Sequence, residues 1–90
     1  MVTTILTHEV KNYTDWRVFF DLDEPNRRNM GVKIKGVYQA VENPNMITII
    51  SEVPSIEDMN KFLSNPDLKE IMMKAGVIGM PEVKILSSAN

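Results

Sequence analysis

The sequence predicts an α+β fold in which the elements follow the order β-α-β-β-α-β, with helices on one face of an antiparallel sheet. The run Met46–Val53 is rich in β-branched residues and has apolar side chains on both faces, as in an interior strand. A helix start follows at once, because Ser55 precedes Asp58 by three residues, as in a capping box. Alternating apolar and polar residues near both ends of the chain predict the first and the last strand.

The first strand spans Val2–Val10, where a period-two pattern places His8 on the same, more apolar face as Leu6. A turn follows, and either Asn12 or Thr14 can cap the first helix. The sequence therefore predicts that His8 points toward the helices.

A proline divides the first helical region. Pro25 removes a backbone donor and disfavours helical geometry at the preceding residue, so we expect either a kink or a restart capped by Asp23. Gly31 can adopt the left-handed conformation that ends a helix. The second helical piece is therefore predicted to end there.

The second strand is predicted over residues 32–41, followed by a turn at residues 42–45 that forms a hairpin with the third strand. Strict alternation places Ile34 and Tyr38 on one face and Val37 on the other. Gly36 indicates a bulge or a close backbone approach within this strand.

The second helical region is also divided, because Asn65 followed by Pro66 is a typical helix start. Gly76 is the expected end of that region, residues 77–81 are expected to form an irregular apolar link, and residues 82–87 the last strand. The predicted buried stripes of the two helices comprise Ile56, Met59, Phe62, Leu63, Leu68, Ile71, Met72 and Ala75.

Right-handed crossovers for the two β-α-β connections give a ferredoxin-like sheet across residues 1–90, read as a single domain. The sheet face away from the helices is too apolar for water and too polar for a dry core. A second copy packed sheet against sheet would cover it, so we expect a homodimer. The residues expected on this face are Thr3, Ile5, Thr7, Val37, Met46, Thr48, Ile50 and Leu86.

Composition excludes several classes of function. A chain of 90 residues has a thin core, and without cysteine it has no disulfide or thiolate metal site to stabilise it. Oligomerisation is the remaining way to stabilise so small a fold. Ten basic and twelve acidic residues give a net charge of -2, which argues against nucleic acid or an anionic membrane as partner. Because there is no bilayer-spanning apolar run or basic signal segment, we expect a cytoplasmic protein.

Three stretches, together with the overall layout, carry a resemblance to a known superfamily. They are residues 8–10 with 13–16, residues 20–25 with 31–32, and residues 62–69 with 75–77. They resemble the dimeric α/β-barrel proteins, which include antibiotic-biosynthesis monooxygenases and many small ferredoxin-like proteins. The resemblance implies two sheets packed into a barrel and, in each subunit, a cleft between sheet and helices. The haem-anchoring Asn and His of the haem-degrading members have no match, so no cofactor is expected.

His8 is the candidate catalytic residue, because imidazole is the side chain most easily tuned to act as a base near neutral pH. The alternative is a structural histidine held by a backbone carbonyl or a helix carboxylate. A metal site made of His8, Asp23 and Glu52 can also be drawn, but its spacing matches no known pattern, and no metal is predicted.

The candidate ligand-binding residues are aromatic, charged or soft. Trp16 and Phe20 on the first helix, with Tyr38, can form a wall for a planar apolar ligand, or they can be plain core. Asp23 and Arg27 have the spacing of a helical ion pair. They can form a solvated, salt-bridged helix end, or Arg27 can bind a ligand carboxylate or Asp23 can orient His8. Met72 can line an adaptable pocket wall, or it can be ordinary core packing.

Three functions remain open at this point. The first is a homodimer that binds a small apolar or aromatic molecule in the cleft. The second is an enzyme on the same scaffold, either a cofactor-free monooxygenase or an isomerase or cyclase, with His8 as general base. The third is a non-catalytic structural dimer whose cleft is filled, which a cavity below about 300 Å³ would indicate.

Overall fold

The computed structural model describes residues 1–89, except for the side chains of Phe62, Leu68 and Lys69. The elements are β1 (Val2–Val10), α1 (Tyr13–Leu22), α2 (Glu24–Asn29), β2 (Lys33–Gln39), β3 (Met46–Val53), α3 (Ile56–Ser64), α4 (Pro66–Lys74) and β4 (Val77–Leu86). The predicted β-α-β-β-α-β order is confirmed, and each helical region consists of two helices.

The four strands form one antiparallel sheet in the order β2-β3-β1-β4. β1 and β3 are the central pair, with Leu6 opposite Ile49 and His8 opposite Ile47. The helices cover the face that carries these residues, and a small buried core joins the two layers. The core consists of Val10, Trp16, Ile47 and Ala75.

Side-chain caps set the start of α1 and the break after it. The Asn12 side chain accepts a hydrogen bond from the Asp15 backbone N–H at 3.1 Å, so Asn12 rather than Thr14 is the cap. At the proline the chain restarts as α2, with Asp23 at the N-cap position. Of the two predicted alternatives, the structure therefore has the restart and not the kink. Because Asp23 accepts from the Asn26 side chain at 2.9 Å instead of capping the backbone, this start depends on the proline.

Caps also set the second helical region as predicted. Ser55 Oγ accepts from the Asp58 N–H at 3.1 Å, and Asn65 Oδ1 accepts from the Asp67 N–H at 2.9 Å. Gly31 and Gly76, which follow α2 and α4, both have positive φ angles, 77° and 85°.

The helices are less buried than their apolar stripes predicted. Met59 and Ala75 are buried and Met72 is half-buried, whereas Ile56, Leu63 and Ile71 are exposed, contrary to prediction. Leu63 and Ile71 border a cavity instead of a packed core, which explains their exposure. The side chains of Phe62 and Leu68 lie outside the described part of the chain.

A bulge in β2 reverses the faces of the residues that follow it. Ile34 pairs with Ser51 and Gly36 with Ile50, so one β2 residue has no counterpart, as Gly36 predicted. Because of this extra residue, Val37 faces the helices and Tyr38 faces away from them, so strict alternation assigned both wrongly.

β4 is longer than predicted and carries an irregularity of its own. Residues 77–81, expected to be a link, belong to the strand. Thr7 pairs with Glu82 and Glu9 with Ile78, so three residues of β4 form a bulge opposite His8 alone. Gly79 in this bulge has a φ of 73°, and Pro81 has no N–H to donate to the ladder.

The sheet face away from the helices is half-exposed and mixed in polarity. Thr7 and Thr48 share a hydrogen bond across it at 3.1 Å, next to the half-buried Ile5 and Ile50. Tyr38 takes the place predicted for Val37, with its ring over Gly36. Within residues 1–89, no helix is long and apolar enough to cross a membrane.

Candidate ligand-binding site

A cavity of about 560 Å³ lies between the sheet and the helices. Its floor is formed by Thr4, Leu6 and His8 of β1 with Ile49 and Ser51 of β3, and the helices supply its walls. Most of the lining is apolar. The volume lies within the ~300–1,000 Å³ range of small-molecule sites, which argues against a filled cleft.

Six of the seven candidate site residues line this one cavity. They are His8, Trp16, Phe20, Asp23, Arg27 and Met72. The seventh, Tyr38, is on the opposite face of the sheet with 54% of its surface exposed. Its assignment to the cleft was wrong because the β2 bulge shifts the alternation by one residue.

His8 is buried on the cavity floor without a hydrogen-bond partner. Only 6% of the residue is exposed, and within the described residues neither Nδ1 nor Nε2 has a partner. The ring meets Trp16 edge to face, with centroids 5.5 Å apart. The structural alternative, a histidine held by a carbonyl or a carboxylate, is therefore not what the structure shows, and Asp23 does not orient His8 through a hydrogen bond.

Burial lowers the pKa of His8 below its ordinary value of 6.5, because the charged imidazolium loses hydration. His8 is therefore neutral at pH 7, with one ring nitrogen able to donate and the other able to accept. A neutral imidazole at this position can accept a hydrogen bond or a proton from a molecule in the cavity.

We expect the lowered pKa of His8 to make stability fall in mild acid. Above pH 6.5 both states are neutral at this group, whereas below it the unfolded chain binds a proton first. The free energy of unfolding therefore decreases as pH falls through 6.5 and levels off only below the folded-state pKa. Urea titrations at a series of pH values measure this slope.

The controls for this pH dependence are direct. His8 is the only histidine, so its NMR titration needs no assignment by elimination. His8→Gln should remove the decrease in the free energy of unfolding just below pH 6.5. The decrease at lower pH, which comes from protonation of carboxylates, should remain. An imidazole titrating above 6.5 in the folded protein would contradict the expectation.

A row of stacked groups forms one wall of the cavity. Trp16 and Phe20, four residues apart on α1, stack with centroids 4.9 Å apart. The guanidinium carbon of Arg27 lies 3.9 Å from the Phe20 ring centroid, in cation–π geometry. The wall therefore runs from the imidazole of His8 at one end to a guanidinium at the other.

Arg27 is a charged residue with little access to water. It is 8% exposed, and its Nη1 lies 3.6 Å from Asp23 Oδ2, which confirms the predicted spacing as a loose ion pair. Its Nε has no partner within the described residues. Burial lowers the pKa of Arg27, but the ordinary value is so high that the side chain stays charged. Arg27 therefore supplies a positive charge at the cavity wall.

Two hydroxyl residues of the site were not predicted. Thr4 and Ser51 are buried and share a hydrogen bond of 2.6 Å between their side chains on the cavity floor. Period-two alternation from His8 and Ile49 places both on the helix-facing side, which is the sequence signal that could have found them. Their pairing depends on the register between β1 and β3.

The structure does not bring together His8, Asp23 and Glu52, the three residues considered as a metal site. Glu52 is on the opposite face of the sheet from His8, where its carboxylate pairs with Lys35 at 2.9 Å. In the described part of the chain, no group of three or more potential ligand side chains could hold a metal ion.

The fold and the site together define a small ferredoxin-like α+β protein with an apolar cavity between sheet and helices. Solved structures with this architecture include proteins provisionally named antibiotic biosynthesis monooxygenases. No family model and no curated protein matches the chain.

Similarity to the solved structures extends along nearly the whole chain. A provisionally named antibiotic biosynthesis monooxygenase from Bordetella bronchiseptica has a TM-score of 0.75 and 16% identity over 99% of this chain and 97% of its own. One from Caulobacter crescentus has a TM-score of 0.74 and 14% identity over 99% and 90%. A protein from Agrobacterium tumefaciens has a TM-score of 0.68 and 21% identity over 99% and 94%. At these identities the similarity shows the fold.

Proposed function

We propose that this protein binds a small planar aromatic molecule in the cavity between its sheet and helices. The observation that carries the proposal is the buried His8, whose two nitrogens have no partner among the described residues, on the floor of a cavity of about 560 Å³. An unsatisfied buried polar group costs about 1–3 kcal/mol, and apolar surface left in contact with water adds to the cost. A ligand that fills the cavity and bonds His8 removes both costs.

The cavity wall favours an aromatic ligand over an aliphatic one. Trp16 and Phe20 present stacked rings to the cavity, and ring pairs contribute about 0.5–1.5 kcal/mol beyond the area they bury. Met72, which also lines the cavity, offers a polarizable side chain that adapts to varied ligand shapes.

Binding can be tested with naphthol and its saturated analogue decalol, which share a carbon skeleton but differ in planarity. We expect naphthol to bind more tightly in calorimetric titrations and to quench Trp16, the only tryptophan of the chain. Phe20→Ala should weaken naphthol binding, by about tenfold if the lost ring contact costs the ~1.4 kcal/mol at the upper end of aromatic pairs.

Tyr38→Ala is the matched control, because it removes an aromatic side chain from outside the cavity and should leave naphthol affinity unchanged. If no member of a panel of planar aromatic probes changes the Trp16 emission or releases heat, the binding proposal is wrong.

A second candidate function is catalysis with His8 as general base, favoured by its neutral, unpartnered imidazole at the cavity floor. His8 would take a proton from an acidic C–H or O–H group of the bound molecule, and the resulting anion could isomerise, cyclise or react with dioxygen. Monooxygenase is the activity named among the structural neighbours.

Exchange of the acidic α-hydrogens of β-tetralone for deuterium tests this base directly. We expect the protein to accelerate the exchange, and His8→Gln to slow the protein-dependent rate ~10²-fold or more while tetralone affinity changes little. Equal exchange rates for the two proteins would exclude His8 as a base for this substrate and leave it as a binding contact.

We further propose that a second copy of the chain covers the open sheet face. Ile5 and Ile50 lie opposite each other in the central strands, half-exposed on that face, with Tyr38 and Leu86 exposed nearby. A two-fold interface would bury the same apolar strip from both copies. The helices and the cavity remain on the outside of such a dimer.

A further inference from the structure

We infer that the ligand of this cavity is an elongated aromatic anion, with its acidic group at Arg27 and its opposite end at His8. This inference rests on the proposed binding function and names the chemical class of the ligand. Four observations carry it: the position of Arg27, its unpartnered Nε, the hydroxyl pair at the same end of the cavity and the apolar floor that separates this end from His8.

The cavity floor has polar groups at both ends and apolar groups between them. Thr4 and His8 are four residues apart on β1, which corresponds to ~13 Å along an extended strand. Between them Leu6 and its partner Ile49 face the cavity. A ligand that satisfies both ends must therefore be long and apolar in its middle.

The path of the helices puts Arg27 at the end away from His8. α1 begins at the C-terminal end of β1, where the Tyr13 N–H donates to Asn45 Oδ1 at 3.0 Å. The chain then runs back over the sheet, with Trp16 against His8 and Phe20 one turn further along. Arg27, stacked on Phe20, continues in the same direction.

The end of α2 fixes that direction. The carbonyl of Arg27 accepts from the Val32 N–H at 2.9 Å, just before β2 begins. β2 enters the sheet with Ile34 opposite Ser51, and Ser51 bonds Thr4. Arg27 and the Thr4–Ser51 pair therefore mark the same end of the cavity.

Arg27 has capacity left for an anion. Its ion pair with Asp23 is 3.6 Å long, beyond hydrogen-bond range for this pair, and its Nε is unpartnered among the described residues. Asp23 is the more exposed member, with 20% of its side chain accessible against 10% for Arg27, so water can solvate it when a ligand takes its place. A ligand carboxylate could then accept two parallel hydrogen bonds from the guanidinium.

The hydroxyl pair adds a hydrogen-bond donor at this end of the cavity. In the bond between Thr4 and Ser51, one hydroxyl donates and the other keeps its proton free for a further acceptor. That free proton, on a buried residue of the cavity floor, is available to a ligand oxygen.

The experiment compares three probes on the intact protein: biphenyl carboxylate, its primary amide, and para-hydroxybiphenyl carboxylate. We expect the carboxylate to bind about tenfold or more tightly than the amide, the range for a hydrogen bond to a charged group. The added para-hydroxyl, which reaches toward His8, should tighten binding again, and His8→Leu should remove only that second gain.

Arg27→Gln should abolish the preference for carboxylate over amide. Arg28→Gln is the matched control, because Arg28 is adjacent on α2, also pairs with a residue four positions earlier, Glu24 at 2.7 Å, but is exposed. It should keep the preference. If Arg27→Gln does not fold, as judged by circular dichroism, the carboxylate and amide affinities of the unmodified protein decide the question alone.

Each other outcome overturns a defined claim. Equal affinity for carboxylate and amide would overturn the anion inference and leave the proposed binding function standing. A preference lost equally in Arg27→Gln and Arg28→Gln would move the anion to the outer surface and overturn the inference. A lack of binding by all three probes would count against the inference and the proposed function together.

Discussion

We expect Ile50→Lys to disrupt the proposed dimer and to leave a folded monomer. Ile50 lies opposite Ile5 on the two central strands, on the face that the helices leave open. In a two-fold dimer the substitution places two ammonium groups in the middle of the interface. Burying a charge without a partner is costly, so the subunits separate. The helix-side core does not include this position.

Sedimentation velocity of both proteins over a range of concentrations measures the change, and circular dichroism reports whether the variant stays folded. Val41→Lys is the matched control, because it makes the same chemical change at a fully exposed position after β2 and should remain dimeric. A dimeric Ile50→Lys protein would show that the open face is not the interface. A monomeric unmodified protein would remove the dimer proposal altogether.

Much of the fold was predictable because its signals are local. The bounds of β1 and β3 follow from period-two patterns and β-branched runs, and the structure has them where the sequence placed them. The helix starts at Asn12, Ser55 and Asn65 follow from side chains that cap backbone N–H groups two or three residues ahead. Each of these signals depends only on neighbouring residues in the chain.

The parts that sequence could not supply depend on pairing between distant residues. Gly36 indicated a bulge, but only the register against β3 shows that one extra residue sends Val37 inward and Tyr38 outward. The length of β4 was missed for the same reason, because Gly79 and Pro81 resemble a link until β1 pairs on both sides of them. A single inserted residue reverses every later side chain, so such errors move whole site assignments.

The residues of the candidate site show the same difference between local signals and pairing of distant residues. His8, Trp16 and Phe20 were found because alternation along one strand and helical spacing each define a face without reference to a partner. The Thr4–Ser51 pair was missed, since a bond between residues 47 positions apart is visible only in the folded sheet. The size of the cleft is likewise a property of packing, and it explains why Leu63 and Ile71 are more exposed than their helical stripes indicated.

We expect Trp16→Ala to cause a large loss of stability. Trp16 is 3% exposed, belongs to the buried core with Val10 and Ile47, and contacts the rings of His8 and Phe20. Truncating a buried tryptophan costs about 3–5 kcal/mol, which includes the cavity left behind. At about 0.05–0.15 kcal/mol per residue, a chain of 90 residues is stable by only ~5–13 kcal/mol in total. The variant should therefore lose a large part of its free energy of unfolding.

Chemical denaturation followed by far-ultraviolet circular dichroism measures the loss, because the substitution removes the only tryptophan that fluorescence could report. Phe19→Ala is the matched control, since Phe19 is also an aromatic residue of α1 that borders the cavity but is 40% exposed. It should cost less than half as much, because the lost burial is smaller and water fills the space. Equal losses for the two variants would show that Trp16 is a cavity-lining side chain without a core role. In that case its contact with His8 would serve the ligand rather than the fold.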